Sequence, residues 1–226
     1  MKSDDGITLQ ELLEIFGDSP ADLIKIRYLK ARTHKQRVQA VDAAIDWAVS
    51  ELAKTARHHL QASEDSLTLQ IVINLKAMGF QASHDTDVGG HCDIVIEGRD
   101  GFLWLAEAKI HGNYPWLLKG FRQLTERYST GIAGQTDGGL IIYSRRPRID
   151  RMMKAWSKHL KEHERGVTVT ACPKAPPAFI SKQIHTRTGD EFKIRHVPVS
   201  LYFNPTDALA GGSVTGSTNG RRTSRR

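Results

Sequence analysis

Residues 92–109 read CDIVIEGRDGFLWLAEAK, and this stretch decides the fold. It begins with a β-branched run, reaches a turn at RDG and continues as the apolar run FLWLAEAK. Two extended segments joined by a tight turn are typical of an antiparallel hairpin. Because side chains alternate along a strand, Glu107 and Lys109 share one face, and Asp93 on the paired strand is expected beside Glu107.

The segments around this hairpin complete a mixed α/β pattern. A helix is predicted over residues 64–78, ended by Gly79, and a short strand over 80–84. After the hairpin we predict a helix at 115–128, a buried strand at 139–144, a helix at 149–163 and a strand at 167–171. A strand that follows a helix suggests a crossover, so the sheet is expected to be mixed.

The two ends of the chain differ from this middle part. Residues 1–62 read as helices, with a capping box at Thr8 and Glu11, Pro20 in a first turn, and an apolar stripe over 34–60. They form a helical platform or a docking segment for a regulatory protein or a second copy. The sequence therefore divides into a helical region, an α/β core, a β-hairpin extension and a disordered basic tail, at residues 1–62, 63–172, 173–209 and 210–226.

Composition narrows the function classes. Hydrophobic residues make up 39% and charged residues 25% of the 226 residues, which is ordinary for a globular protein and excludes a disordered chain or a fibre. The apolar runs fall short of the ~18 residues of a membrane span, and MKSDDGITLQ lacks the apolar core of a secretory signal. Two cysteines fit the reducing cytoplasm. The net charge of +7 favours a polyanionic partner, most often nucleic acid.

Asp93 is the first residue that points to chemistry. It lies in an apolar strand between Cys92 and Ile94, where an unpaired carboxylate is costly. Beside Glu107 it would make a hard oxygen site, the kind that Mg²⁺ or Mn²⁺ prefers. Lys109 would then orient or activate a water molecule, or stabilise negative charge on a phosphate. The alternative is a strand-end salt bridge between Glu107 and Lys109, or exposure of both.

A third carboxylate, Glu64, opens the helix before the strands. On a helical wheel it lies within about 60° of the apolar stripe of that helix. A glutamate on a buried helix face needs a partner, unless it serves as the helix cap. Ser63 is available for the capping role, and the neighbouring Asp65 points about 100° away from the stripe.

Glu64, Asp93 and Glu107-Ala108-Lys109, in the order αβββαβ, resemble the PD-(D/E)XK nuclease superfamily, which has the restriction-endonuclease-like fold. The resemblance covers residues 63–171, about half of the chain. It implies that Glu64, Asp93, Glu107 and the carbonyl of Ala108 bind one or two Mg²⁺ ions, or Mn²⁺, and that Lys109 assists the attacking water. The residue before the aspartate is often proline in the family and is Cys92 here.

The resemblance extends to residues around this centre. Many branches carry a glutamine on the helix after the lysine, which makes Gln123 a candidate for the rim of the active site. Arg127, four residues later, is either a phosphate contact or a surface arginine. His91 and His111 lie two residues from Asp93 and Lys109, and each is either a contact to phosphate or metal-bound water, or a loop residue.

Two hypotheses follow from the sequence. The first is a Mg²⁺-dependent nuclease that hydrolyses phosphodiester bonds, with DNA as the favoured substrate and bacterial anti-phage defence as a candidate role. The second is a catalytically silent nucleic-acid-binding or assembly module of the same fold. Affinity for Mg²⁺ or Mn²⁺ separates them, because only the first needs a metal.

Overall fold

The computed structural model describes residues 7–17, 19–88, 90–128, 135–172, 175–185 and 188–205. In these residues the chain forms six α-helices: α1 (Leu9–Ile15), α2 (Pro20–Lys30), α3 (His34–Lys54), α4 (Glu64–Ala77), α5 (Tyr114–Arg122) and α6 (Ile149–His163). The strands are β1 (Gln81–Asp87), β2 (His91–Glu97), β3 (Leu103–Ile110), β4 (Asp137–Ser144), β5 (Thr168–Ala171), β6 (Phe179–Ile184) and β7 (Glu191–Ser200). The predicted mixed α/β class is confirmed.

The strands form one seven-stranded open sheet in the order β1-β2-β3-β4-β7-β6-β5. The first three strands are antiparallel neighbours, whereas β3, β4 and β7 run parallel to one another. Parallel strands cannot be joined by a hairpin, so α5 makes the crossover from β3 to β4. The predicted order of helix, three strands, helix and strand is therefore present as α4, β1 to β3, α5 and β4.

The C-terminal hairpin belongs to the same sheet. β6 and β7 pair antiparallel as predicted, but β7 also pairs in parallel with β4 along its length, from Asp137 opposite Lys193 to Ser144 opposite Ser200. The strand predicted at 167–171 is β5, which pairs with β6 at the edge of the sheet. The sequence division at residue 173 placed this hairpin outside the core, whereas the structure joins both in one sheet.

β2 and β3 form the predicted hairpin, with Ile94 opposite Ala106 and Glu97 opposite Leu103. In its turn Asp100 and Gly101 have φ angles of 60° and 71°, the left-handed conformation that allows the tight reversal. Arg37 of α3 pairs with Asp100, which attaches this turn to the N-terminal helices.

Capping side chains define the predicted helix starts. Thr8 Oγ1 accepts from the Glu11 backbone N at 3.2 Å, and the Glu11 carboxylate accepts from the Thr8 N at 2.6 Å, which is the predicted capping box. Ser63 Oγ accepts from the Ser66 N at 3.1 Å, so Ser63 caps α4. Gly79, with φ 83°, ends α4 as predicted.

Two helices are shorter than predicted. The helix expected over 34–60 ends at Lys54 and is followed by a 3₁₀ turn at Ala56–His59. The helix expected over 115–128 ends at Arg122 and continues as a π-helical turn at Gln123–Tyr128. Over a single turn, the apolar periodicity of a 3₁₀ or a π-helical segment is similar to that of an α-helix. The sequence pattern therefore did not distinguish these turns from a continuing α-helix.

Helices cover both faces of the sheet. One face packs against α3 and α4 in a core that includes Val41, Ile45, Leu67, Trp104 and Ile141. The other face packs against α5 and α6 in a core that includes Leu117, Phe121, Leu140, Trp156 and Ile194. The apolar stripe of α3, which the sequence left open as a docking face, is therefore buried against the sheet.

Some predictions concern residues outside the described ranges. These are the basic tail at 210–226 and part of the turn TRTGD at 186–190. Within the described ranges, none of the helices has both the length and the apolar character needed to cross a membrane.

Candidate active site

Three carboxylates from three different elements meet at one lysine. Lys109 Nζ lies 2.5 Å from Glu107 Oε1, 3.4 Å from Glu64 Oε1 and 3.8 Å from Asp93 Oδ2. We call these four residues the Lys109 cluster. Its members are distant along the chain, and the structure brings all four of them together. The nuclease roles assigned to them from the sequence stay predictions.

The backbone of β3 holds two of the carboxylates. The β2–β3 register, extended by one pair beyond Ile94 and Ala106, places Asp93 opposite Glu107. Asp93 Oδ2 accepts from the Ala108 backbone N at 2.7 Å, so this side chain takes the place of a strand carbonyl where the ladder ends. Glu64 Oε2 accepts from the Ile110 backbone N at 2.7 Å. Because Ser63 caps α4, the Glu64 side chain is available to reach β3.

The cluster carries more negative charge than its lysine can neutralise. The side chains of Glu107 and Lys109 are only 2% and 7% exposed, and those of Asp93 and Glu64 are mostly buried. Among the described residues, Lys109 is the one ammonium or guanidinium group in an ion pair with these carboxylates. A buried Glu–Lys salt bridge needs one carboxylate, so the other two are not explained by it.

The pKa values follow from this crowding. Burial, reinforced by the negative charge of Asp93, raises the pKa of Glu107 to about 7, although Lys109 opposes the shift. Burial also raises the pKa of Asp93, against the N–H of Ala108. For Lys109, burial lowers the pKa, but the three carboxylates outweigh burial and the net pKa is raised. Lys109 is therefore an ammonium, and Glu107 exchanges its proton near neutral pH.

The oxygen atoms test whether a divalent cation fits. Glu107 Oε2 is buried and has no hydrogen-bond partner among the described residues. Leaving a buried polar atom unsatisfied costs about 1–3 kcal/mol, more for a charged group, so this oxygen lacks a partner that it needs. Mg²⁺ and Mn²⁺ take oxygen ligands, and the three carboxylates with the Ala108 carbonyl fit them chemically.

The cluster is nevertheless closed by its own lysine. In the described part of the chain, no three His, Cys, Asp or Glu side chains are grouped as the ligands of one metal ion. The Lys109 ammonium contacts all three carboxylates and donates to the Ala108 carbonyl at 3.0 Å. A cation bound by these oxygens would have to displace the ammonium from between them.

Two residues of α5 border the cluster, and the sequence analysis did not assign them there. A Cβ on Gly120 would lie 2.9 Å from Lys109 Cγ and 3.3 Å from Glu107 Cγ, so only glycine allows this close approach. The Trp116 ring lies 5.5 Å from Lys109 Nζ and 5.1 Å from Lys119 Nζ. A glycine inside an amphipathic helix was the available signal for Gly120, because glycine in that place usually marks a close contact.

The remaining candidates lie around the cluster. Gln123 is half-buried in the π-helical turn, which packs against β3, and its role at the rim stays a prediction. His91 is exposed on the hairpin of β1 and β2, where its Nδ1 lies 3.0 Å from Asp85 Oδ1. The prediction for Arg127 concerns a side chain outside those that the structure describes. His111 directly follows β3, and its backbone N donates to the Tyr143 carbonyl at 2.8 Å.

A cavity of about 830 Å³ lies elsewhere, between α2, α3 and β7. Its walls include Arg27, Lys30, Asp42, Asp46 and Arg195, and none of its lining residues belongs to the Lys109 cluster. Arg195 pairs with Asp46 at 2.6 Å, which attaches α3 to the sheet. The chemistry described above is therefore not located in this cavity.

Comparison with known proteins gave no match to a family model, to a curated protein or to a solved structure. The case for a function therefore depends on the residues of the Lys109 cluster and their geometry.

Proposed function

We propose that the protein is a Mg²⁺- or Mn²⁺-dependent nuclease with a restriction-endonuclease-like core, and that it hydrolyses phosphodiester bonds in DNA. The observation that carries the proposal is the convergence of Glu64, Asp93 and Glu107 on Lys109, with Glu107 Oε2 making no hydrogen bond to any described residue. A structural salt bridge uses only one of these carboxylates, and each of the other two also accepts from a backbone N–H of β3. A divalent-cation centre for phosphate hydrolysis gives all three a common role as oxygen ligands.

Each member of the cluster has a role in this proposal. Glu64, Asp93, Glu107 and the Ala108 carbonyl would hold the cation, which would supply Lewis acidity towards a phosphate oxygen and lower the pKa of a water molecule. The N–H groups of Ala108 and Ile110 each hold one carboxylate oxygen and so fix the orientation of Asp93 and Glu64.

Lys109 acts as an ammonium because its three carboxylate neighbours raise its pKa. In that state it cannot accept a proton from water. It donates hydrogen bonds instead, which position the attacking water and stabilise the negative charge that develops on the phosphate. The stem of Lys109 lies against Gly120 of α5, so this helix limits where the ammonium can go.

The second candidate is a nucleic-acid-binding or assembly module without hydrolytic activity. The 2.5 Å contact between Lys109 and Glu107 favours it, because this is the strand-end salt bridge that the sequence left open. Calorimetric titration with Mg²⁺ and Mn²⁺ separates the two candidates, since a silent module needs no affinity for either ion.

Digestion of supercoiled plasmid tests the nuclease directly, with Mg²⁺ and with chelator. Lys109→Ala and Glu107→Gln should each lower the rate about 100-fold or more. Glu64 and Asp65 provide a matched pair, since both are acids in the first turn of α4 and only Glu64 joins the cluster. Glu64→Gln should lose activity and Asp65→Asn should keep it. Full cleavage by Lys109→Ala or Glu107→Gln would reject the proposal.

A further inference from the structure

A row of four rings leads away from the Lys109 cluster across the neighbouring helices. The ring centroid of His111, the residue directly after β3, lies 5.2 Å from that of Tyr114, the first residue of α5. Tyr114 lies 5.6 Å from His159 of α6, and His159 stacks on His163 at 3.9 Å. We call these four residues the ring row. The first three side chains are half-buried and His163 is exposed, so the row lies at the protein surface.

Three nitrogen atoms of the row have no hydrogen-bond partner in the part of the chain that the structure describes. Both ring nitrogens of His111 and Nε2 of His159 are shielded from solvent and make no hydrogen bond within the described residues. Burial and the charge of Arg146 lower the pKa of His111, so its imidazole is neutral and offers one donor and one acceptor. Shielded polar atoms without partners are costly, so the row has unused hydrogen-bonding capacity just below its surface.

The charge around the row selects an anionic ligand. α5 carries Lys119 and Arg122 and no acidic residue. α6 carries four basic residues, at 151, 154, 158 and 161, against Asp150 and Glu162. Arg122 and Lys158 are paired with glutamates, whereas the remaining cations of these helices have no ion pair recorded among the described residues. The two helices that present the rings are therefore basic.

Rings, unsatisfied nitrogens and basic flanks together match one ligand class. We propose that the ring row binds single-stranded nucleic acid, whose unpaired bases stack on Tyr114 and the histidines and whose backbone leads to the Lys109 cluster. Bases inside a duplex already stack on one another, so their faces are not free to stack on side chains, whereas splayed bases stack on aromatic and imidazole rings. As far as it concerns cleavage, this inference rests on the proposed nuclease function. It narrows the substrate of that function from DNA in general to single strands.

Binding measured in chelator tests the row without cleavage. The full chain would be titrated, by fluorescence anisotropy, into labelled oligo(dT) of about 16 nucleotides, an abasic strand of equal length and a duplex of equal length. The wild type should bind oligo(dT) more tightly than either of the others. Tyr114→Ala should weaken binding of oligo(dT) about tenfold and leave the abasic strand unchanged, because only bases can stack.

Three further variants make the test decisive. Tyr114→Phe keeps a ring and should keep the affinity, and Phe16→Ala removes an exposed ring outside the row and should have no effect. His159→Ala gives a second measurement should Tyr114→Ala fail to fold. Equal affinity for oligo(dT) and the abasic strand, tighter binding of the duplex, or unchanged affinity in Tyr114→Ala and His159→Ala would overturn the inference.

Cleavage assays on both supercoiled plasmid and single-stranded oligo(dT) keep the two proposals separate. Mg²⁺-dependent cleavage without base-dependent binding rejects the ring row and leaves the nuclease. Base-dependent binding without cleavage of either substrate, in Mg²⁺ or in Mn²⁺, rejects the nuclease and leaves the ring row as a binding surface. Neither binding nor cleavage rejects both.

Discussion

Replacing Lys109 by methionine separates a metal site from a structural salt bridge. The change removes the ammonium and keeps a stem of similar length, so three carboxylates remain around an uncharged side chain. Breaking a buried pair by removing one partner costs about 3–5 kcal/mol of unfolding free energy. Glu107 limits that cost, because its pKa is already raised to about 7 and it can take up a proton.

The pH dependence has a defined sign. Glu107 has a pKa of 4.5 when unfolded and about 7 when folded, so the folded state binds the proton more tightly. The stabilisation that the folded state gains from this proton is fully present below pH 4.5 and is lost as the pH rises through 7. Lys109→Met should raise the pKa of Glu107 further. The variant should therefore be about 3 kcal/mol less stable than the wild type at pH 8, and closer to it at pH 6.

Urea unfolding with chelator, Mg²⁺ or Mn²⁺ is the assay. An ion present at 100 times its dissociation constant stabilises the folded state by about 2.7 kcal/mol. A bound ion should restore most of the unfolding free energy that Lys109→Met has lost. It should stabilise this variant more than the wild type, because in the wild type the ion must first displace the ammonium. Lys76→Met, on the exposed end of α4, is the matched control. A variant as stable as the wild type in chelator, or one that no divalent ion stabilises, would refute the reasoning.

Three other outcomes are expected. His196 is fully buried between the Trp156 N–H and Ser181, and burial lowers its pKa from 6.5 to about 3. Its contribution to the free energy of unfolding is therefore fully present above pH 6.5 and is lost as the pH falls, by about 2 kcal/mol at pH 5. His196→Gln should flatten this slope in urea unfolding between pH 7 and 5, and the exposed His58→Gln should not. Gly120→Ala should displace the Lys109 stem and lower the cleavage rate about tenfold or more, with little change in the free energy of unfolding. An unchanged rate would show that the contact between Gly120 and Lys109 is unimportant for cleavage. Binding of DNA should weaken steeply with salt, because a chain of net charge +7 displaces counterions, and binding indifferent to salt would count against a nucleic-acid substrate.

Local patterns predicted most of the elements and part of the site. Strand alternation placed Glu107 and Lys109 on one face, and the tight turn at RDG paired their strand with that of Asp93. The helical wheel identified Glu64 as the acid that faces inward, and the residue type and position of Ser63 made it available as the cap. These predictions succeeded because each depends on backbone geometry over a few residues, which residue type and spacing express directly.

Tertiary packing decided what lies next to what. Strand periodicity does not specify neighbours, so the position of β7 between β4 and β6 could not be read from the sequence. The same holds for the ammonium of Lys109 between three carboxylates, for Gly120 against its stem, and for the ring row. Most of these contacts join different helices and strands, and their energies depend on burial and distance, which exist only once the helices pack on the sheet.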